Sequence, residues 1–392
     1  MDLAGVEHVQ IAAAGGADNI TVNDLTGTGI TQVAIDLGAG PGSQSGDGAA
    51  DRVTVNGTNG DDNISVVTSG GSIVVNGLAA QVTIAHADAG DVLGINGGQG
   101  NDVINASSIK AGQSFILNIN GGDGNDTITG SAGNDIVNGG RGNDFANLGA
   151  GDDTFVWNPG DGSDTVEGGK GTDTLAFNGA NISETINISA NGGRVLFTRD
   201  VAAIAMDLNG VEHVDFNALG GADNITVGDL SGTGVSQVDL DLGANDGAAD
   251  TVTINATGGN DVITVTEHDG IITVSGLGQD INITDAGAGD RIVINGLDGD
   301  DVITASGLHG GIQLVANGGN GDDVLIGGGG LDILDGGTGN NVVIQGGAFA
   351  AAMLLNQAMA ASFVPAGEGN GEMPLPDPHA TQSQVLAPPQ HA

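Results

Sequence analysis

The chain of 392 residues contains no cysteine and no tyrosine and has few basic or aromatic residues. Without cysteine it forms neither a disulfide framework nor a thiolate metal site, and thiol catalysis is excluded. Aromatic residues make up 2% of the chain, so large rings cannot supply most of a core. Only 7 Lys and Arg stand against 49 Asp and Glu, a formal net charge of -42. Nucleic acid is therefore excluded as a partner, because its phosphates would be repelled.

Glycine and short aliphatic runs dominate what is present. There are 74 glycines, and the hydrophobic fraction is 39%. An acidic, glycine-rich chain could be disordered, but this hydrophobic content argues against disorder. The Val, Ile and Leu residues occur in runs of about three to five between Gly and Asp, which suits short strands rather than helices. The sequence therefore predicts an all-β protein.

A long tandem duplication organises the chain. The segment MDLAGVEHVQ at Met1 recurs as MDLNGVEHVD at Met206, and Asp51 then aligns with Asp250. We predict one repeat unit over residues 1–205 and a second over residues 206–346. Because Met1 aligns with the middle of continuous repeat sequence, we expect that the chain begins inside a unit.

A nine-residue repeat lies within each unit. It has Gly at the first, second and fourth positions, Asp at the sixth and an aliphatic residue at the eighth, as in GGDGNDTIT from Gly121. Strict copies occupy residues 97–105, 121–176, 296–304 and 318–344. Chance matches would not keep one phase, yet Asp126, Asp135, Asp144 and Asp153 are each nine residues apart.

This spacing predicts the geometry of a flattened solenoid. Six turn residues and a three-residue strand make half a coil, so residues eighteen apart stack at the strand spacing of about 4.8 Å. Asp126 should then lie beside Asp144 on one edge, and Asp135 beside Asp153 on the other. Stacked carboxylates repel, and a hard cation between the turns relieves that repulsion.

Calcium is the cation that this chemistry favours. Ca²⁺ accepts six to eight oxygens from carboxylates and backbone carbonyls with flexible geometry, whereas Mg²⁺ demands a tighter octahedron. Zn²⁺ would require His or Cys, and the repeat blocks contain neither. We therefore expect multiple Ca²⁺ ions as the cofactors.

The nonapeptide resembles the calcium-binding repeat of the RTX (hemolysin-type) family. The resemblance implies a right-handed parallel β-roll or β-helix solenoid with Ca²⁺ between turns, and export through a type I secretion apparatus to the exterior or cell surface. It also implies that the sixth-position aspartates bind metal. These are Asp102, Asp126, Asp135, Asp144, Asp153, Asp164, Asp173, Asp301, Asp323 and Asp332, with weaker matches at Asp18, Asp62, Asp223 and Asp261.

Two departures from the pattern affect the expected sites. Asn341 replaces Asp in the last repeat, so a full site is not expected there. Two extra residues, Trp157 and Asn158, precede Pro159 and should disturb one site.

The remaining sequence is assigned by weaker patterns. Residues 31–37 and 72–75 are strand-like, and we interpret them as coils of the same solenoid with degenerate turns. Residues 347–364 predict a short helix that caps the solenoid, the alternative being part of an export signal. Residues 365–392 hold most of the prolines and predict a disordered tail. None of these segments predicts a transmembrane span.

Enzymatic alternatives find little support in the sequence. Glu7 and His8 recur as Glu212 and His213, but neighbouring residues of a strand face opposite sides and cannot act together. Neither an HExxH helix nor a GxSxG elbow occurs. We predict a non-catalytic protein, with extracellular polysaccharide or a cell surface as its partner. The alternative is a polysaccharide lyase or epimerase, or its non-catalytic module.

Overall fold

A computed structural model describes residues 5–40, 42–112, 115–243, 247–309, 312–330 and 332–346. All of these residues belong to one unit, Met1–Ala351. The predicted capping helix at 347–364 and the predicted tail at 365–392 lie outside the described residues.

The described residues form 32 strands and one 3₁₀ turn, Val201–Ala203, with no α-helix among them. The strands lie in two long sheets. The first sheet contains β1 (His8–Ala12), β3 (Gln32–Asp36), β5 (Asn63–Ser69), β6 (Ser72–Asn76), β7 (Gln81–Ala85), β9 (Val103–Asn105), β11 (Thr127–Thr129), β13 (Phe145–Ala150), β15 (Thr165–Lys170), β17 (Thr185–Asn191), β18 (Arg194–Arg199), β19 (Ile204–Asn209), β21 (Asn224–Val227), β23 (Thr251–Asn255), β27 (Arg291–Asp298), β29 (Gln313–Asn320) and β31 (Ile333–Asp335). The second sheet contains β2 (Asn19–Val22), β4 (Arg52–Asn56), β8 (Asp91–Gln99), β10 (Phe115–Asp123), β12 (Asp135–Arg141), β14 (Thr154–Trp157), β16 (Thr174–Asn178), β20 (His213–Asn217), β22 (Gln237–Asp241), β24 (Val262–His268), β25 (Ile271–Ser275), β26 (Asp280–Thr284), β28 (Val302–Gly307), β30 (Val324–Ile326) and β32 (Val342–Ile344).

The chain winds between the two sheets, and most neighbouring strands are parallel. In the strict repeats the register is eighteen residues, since Thr127 pairs with Phe145 and Ile136 pairs with Thr154. This confirms the predicted all-β parallel solenoid. Outside the strict repeats the coils are longer, and β4 pairs with β8 at a separation of 40 residues.

The core lies between the sheets and is built from the side chains of each strand that point inward. In β4, Val53 and Val55 are buried while the residues beside them point outward. The core is mostly aliphatic, as the composition predicts, with one aromatic cluster. Trp157 stacks on Phe177 with ring centroids 4.0 Å apart, and Phe197 packs 4.3 Å from Phe177.

Three antiparallel meanders interrupt the parallel winding. They are β5–β6–β7 and β17–β18–β19 in the first sheet and β24–β25–β26 in the second sheet. The interpretation of residues 72–75 as a parallel coil was therefore wrong, because β6 runs antiparallel to both of its neighbours. Alternating burial marks a strand in either direction, so it does not distinguish the two cases.

The two copies of the long duplication place equivalent strands on opposite sheets. β4 lies in the second sheet, whereas its sequence equivalent β23 lies in the first. Likewise β5–β6–β7 lies in the first sheet and its equivalent β24–β25–β26 in the second. One repeat unit thus contains an odd number of half-coils.

Candidate metal sites along the turns

The sixth residues of stacked repeat turns are hydrogen-bonded to one another and form a ladder along the edge of a sheet. The backbone N–H of Asp102 donates to Asp126 Oδ1 at 2.7 Å, and that of Asp126 donates to Asp144 Oδ1 at 2.7 Å. On the opposite edge the N–H of Asp135 donates to Asp153 Oδ1 at 2.7 Å. The stacking expected for these residues is therefore present on both edges.

The predicted site residues fall into separate ladders. The aspartates that directly precede strands of the first sheet form one ladder: Asp62, Asp102, Asp126, Asp144 and Asp164. Those that enter the second sheet are Asp135, Asp153 and Asp173, and further along Asp261, Asp301 and Asp323. The backbone N–H of Asp18 donates to Asp51 Oδ1. Asp223 lies between Glu184 and Asp250 in another ladder. Asp332 directly precedes β31.

Most of these aspartates have a second carboxylate oxygen that is buried without a hydrogen-bond partner. Within the described residues eight sixth-position aspartates of the strict repeats share this property, and each is at most 3% exposed. A buried carboxylate oxygen without a partner is costly, so the turns are incomplete without a further positive group. The eight are Asp102, Asp126, Asp144, Asp153, Asp164, Asp173, Asp301 and Asp323.

The first glycine of each turn leaves room for that group. A Cβ added to Gly121 would collide with Asp126 Oδ2 and with the carbonyl oxygen of Gly139 in the next coil. The carboxylate oxygen and a carbonyl oxygen from two adjacent coils therefore border one small space above the glycine. Gly296 has the same surroundings, formed by Asp301 Oδ2 and the Gly318 carbonyl.

Side chains alone do not complete a metal site. Among the described residues, no three His, Asp or Glu side chains lie close enough together to hold a metal ion. Any ion in these turns must therefore take much of its coordination from backbone carbonyls. A mixture of carbonyl and carboxylate oxygens fits Ca²⁺.

The two departures in the repeat pattern affect the ladders differently. Across the insertion of Trp157 and Asn158 the ladder continues, because the Asp144 N–H still donates to Asp164 Oδ1 at 2.9 Å. Asn341 accepts the Asp323 N–H at 2.8 Å, but its amide nitrogen takes the place of the second carboxylate oxygen. The insertion therefore leaves the ladder intact, whereas Asn341 removes one acidic oxygen.

Some ladder members were missed by a search for the strict motif. Asp91 accepts the Asp51 N–H at 2.9 Å, and Glu212 accepts the Asp173 N–H at 2.8 Å. Glu184 also belongs to a ladder, and its carboxylate pairs with buried Arg199. A wider search for Asp or Glu two places before a buried aliphatic residue would have found Asp51, Asp91 and Glu184. The bond to Asp173 gives Glu212 a structural role.

Burial raises the pKa of the ladder carboxyls. It raises the pKa of Asp126 to about 6, that of Asp144 to about 7 and that of Asp164 to about 8. Loss of water is the main cause in each case, and the neighbouring Asp charge of the ladder adds to it. The metal-free turns thus resist ionisation at neutral pH.

We expect the metal-free solenoid to be more stable at pH 5 than at pH 8. The pKa values in the fold lie above the unfolded value of about 3.9, so folding takes up protons and stability falls as the pH rises from about 4 to about 8. Circular dichroism of calcium-depleted protein should show more β-structure at pH 5. The converse order, or a recovery at pH 8 by salt that screens only surface charge, would contradict this origin.

Comparison with known families identifies these turns. The family model of the RTX calcium-binding nonapeptide repeat matches in four copies, at residues 95–108, 119–155, 160–181 and 315–343. The chain carries RTX calcium-binding repeats. The predicted resemblance is thereby confirmed, and calcium binding is supported for the matched turns. The comparison with curated proteins gave no match.

The RTX repeats cover about a quarter of the chain, and the solenoid continues beyond them. Seven of the eight aspartates with an unpartnered oxygen lie in matched segments, and Asp301 lies outside. The same geometry therefore extends past the segments that the family model matches. In the described part of the chain no helix is long and apolar enough to cross a membrane.

Proposed function

We propose that this protein is a secreted structural or adhesive protein whose solenoid folds when calcium binds its RTX turns outside the cell. The observation that supports this most directly is the row of buried aspartate oxygens without partners. When ionised, each such turn carries an unbalanced charge next to a backbone carbonyl of the adjacent coil, and a cation coordinated by both oxygens balances it.

The expected affinity matches an extracellular calcium range. Extracellular calcium modules bind with dissociation constants of about 0.1 to 1 mM. Such turns would remain empty in a calcium-poor cytosol and fill outside the cell, where calcium is near millimolar. The chain would thus stay unfolded for export through a type I secretion apparatus and fold after release.

The proposed partners follow from the acidic surface. With 49 acidic and 7 basic residues, the folded protein repels other anions unless calcium bridges them. We propose an acidic extracellular polysaccharide or a cell surface, bridged by calcium, as the partner. Among the described residues Arg141, Arg194 and Arg199 are paired with acids, so few of the 7 basic residues remain to bind a polyanion directly.

The proposal is tested by calcium binding and protease resistance measured together. Equilibrium dialysis should give multiple bound Ca²⁺ ions with affinity near 0.1 to 1 mM, and magnesium should not replace them. Limited proteolysis should cut the chain at submicromolar calcium and spare residues 5–346 at millimolar calcium. Equal protease resistance at both calcium levels would rule out the proposal that calcium drives folding after export.

A second candidate, a polysaccharide-modifying enzyme, is favoured by one acidic pair. Asp215 and Asp239 are paired neighbours on β20 and β22, and they border a shallow groove with Asn178 and Asn217. Burial and the Asp239 charge raise the pKa of Asp215. A carboxyl with a raised pKa beside a second carboxyl is an arrangement in which the first can act as the acid. Turnover of alginate or pectin that is abolished in Asp215→Asn would favour this candidate.

A further inference from the structure

The sixth-position acids fall into two classes according to the second residue of their turn. In one class the second oxygen of the carboxylate has no partner. In the other class that oxygen accepts a hydrogen bond from the backbone N–H of the second residue of its own turn. Both classes occur within single ladders, since Asp62, Asp135 and Asp261 belong to the second class and each is followed by members of the first.

The first class has its second residue in the left-handed conformation. In the turn of Asp126 this residue is Gly122, with φ 116°, and in the turn of Asp144 it is Gly140, with φ 92°. The left-handed conformation turns the N–H away from the carboxylate, and Oδ2 remains without a partner.

Two turns adopt this conformation without glycine. Leu297, the second residue in the turn of Asp301, has φ 77°, and Ala14, in the turn of Asp18, has φ 65°. Side chains with a Cβ are strained there. Asp301 and Asp18 nonetheless have an unpartnered Oδ2, as the glycine turns do. The conformation of the second residue, rather than its identity, thus accompanies the unpartnered oxygen.

The second class has its second residue in an ordinary conformation. Ser131 donates its N–H to Asp135 Oδ2 at 2.5 Å, and its hydroxyl donates to Asp135 Oδ1 at 2.8 Å. Four further turns are closed by the same N–H bond. Their donor and acceptor residues are Thr58 with Asp62, Thr257 with Asp261, Gly328 with Asp332, and Ala180 with Glu184. The turn of Asp332 differs from the others, because Asp332 Oδ1 is buried without a partner.

The N–H bond occupies the space that a cation would need. A Cβ on Gly130 would meet Asp135 Oδ2 and the Leu148 carbonyl, so this turn has the same small space as the turn of Asp126. In the turn of Asp135, however, the positive end of the Ser131 N–H already points at the oxygen. A cation there would meet a donor of the same polarity.

We propose that the conformation of the second residue selects which turns take up calcium, and that the turns of Asp62, Asp135, Asp261 and Glu184 close without metal. This inference rests on the proposed calcium binding and adds which turns are excluded from it. In the ladders that begin at Asp62, Asp135 and Asp261, a first turn closed by its own backbone is then followed by turns that bind metal.

The first test compares two conservative variants of the full chain by calcium stoichiometry. Asp144→Asn keeps the Oδ1 that accepts the Asp126 N–H but loses the unpartnered oxygen, and should bind at least one Ca²⁺ fewer. Asp135→Asn keeps an oxygen that accepts the Ser131 N–H, and its amide nitrogen can donate to the Ser131 hydroxyl oxygen, so it should bind the same number as the unmodified chain. An equal loss in both variants overturns the inference. A chain that binds no calcium at all would instead overturn the proposed function.

The second test changes the second residue itself. Ser131→Gly removes both the Cβ that disfavours the left-handed conformation and the hydroxyl that bonds Asp135 Oδ1 and the Gly133 N–H in the present one, and it should add one bound Ca²⁺ at saturation. Ser131→Ala is the matched control, since it loses the hydroxyl but keeps the Cβ, and it should add none. A gain in both variants, or in neither, would contradict a selecting role for the second residue.

Discussion

Removal of calcium is expected to lower the free energy of unfolding of the solenoid by about 11 kcal/mol. With 1 mM calcium and a dissociation constant near 0.1 mM, one site stabilises the folded state by about 1.4 kcal/mol. The described residues contain eight strict-repeat aspartates whose buried Oδ2 has no partner, and we assign one site to each. The total is comparable to the whole stability of an ordinary domain, about 5–15 kcal/mol.

The loss should exceed what binding alone accounts for at neutral pH. Without a cation, the ladders keep adjacent carboxylates whose ionisation is opposed by burial and by each other. The net charge of -42 adds self-repulsion to the compact state. We therefore expect most of the β-structure to be lost in chelator at pH 8.

Circular dichroism and the fluorescence of Trp157 measure this together. Trp157 is the only tryptophan and is fully buried, so its emission reports the packing around the aromatic cluster. Chelation should reduce the far-ultraviolet β signal, and millimolar calcium but not magnesium should restore it cooperatively. A cooperative thermal transition of unchanged midpoint in chelator would refute metal-driven folding.

Replacing Arg199 by Met is expected to destabilise the central coils by about 3–5 kcal/mol, the usual cost of breaking a buried ion pair. Arg199 pairs with Glu184, and their side chains are 3% and 0% exposed. Its guanidinium also lies 5.3 Å from the centroid of the Trp157 ring. Glu184 holds the sixth position of its turn, so Arg199 supplies by side chain the positive charge that calcium would supply elsewhere.

The matched variants separate the charge from the packing. Glu184→Gln combined with Arg199→Met leaves no unpaired charge and should recover much of the loss. Arg141→Ala removes an exposed pair with Asp123, whose atoms are 3.9 Å apart, and should cost less than about 1 kcal/mol. Denaturant unfolding followed by Trp157 fluorescence at saturating calcium measures all three. If Arg199→Met and Arg141→Ala shift the unfolding midpoint equally, the buried pair does not stabilise the fold more than the exposed pair does.

The stacking of the repeat turns could be predicted from the local periodicity of the sequence. A nine-residue period with Gly and Asp in fixed phase predicts that residues eighteen apart stack, and Thr127 does pair with Phe145. The sixth-position aspartates consequently form ladders, as predicted. The prediction succeeded because the turn and the short strand are both set by residues within nine positions of each other.

Strand partners outside the strict repeats were decided by the tertiary structure. The segment Ser72–Asn76 is a short aliphatic run like its neighbours, yet it is the middle strand of an antiparallel meander, with Ile73, Val74 and Val75 all buried. Alternation tells which residues face the core, but the choice of partner depends on loop lengths and on distant strands. The same limit hid the placement of equivalent strands β4 and β23 on opposite sheets.

The sequence by itself determined that acidic ladders would line both edges of an all-β solenoid. The tertiary structure decided which ladder oxygens have a partner, since Asp126 and Asp135 share one motif but differ in the backbone of their second residues. It also brought Arg199 to Glu184 across a meander. Motif spacing sets which groups recur, whereas backbone conformation and contacts between distant residues set the hydrogen bonds and charges around each of them.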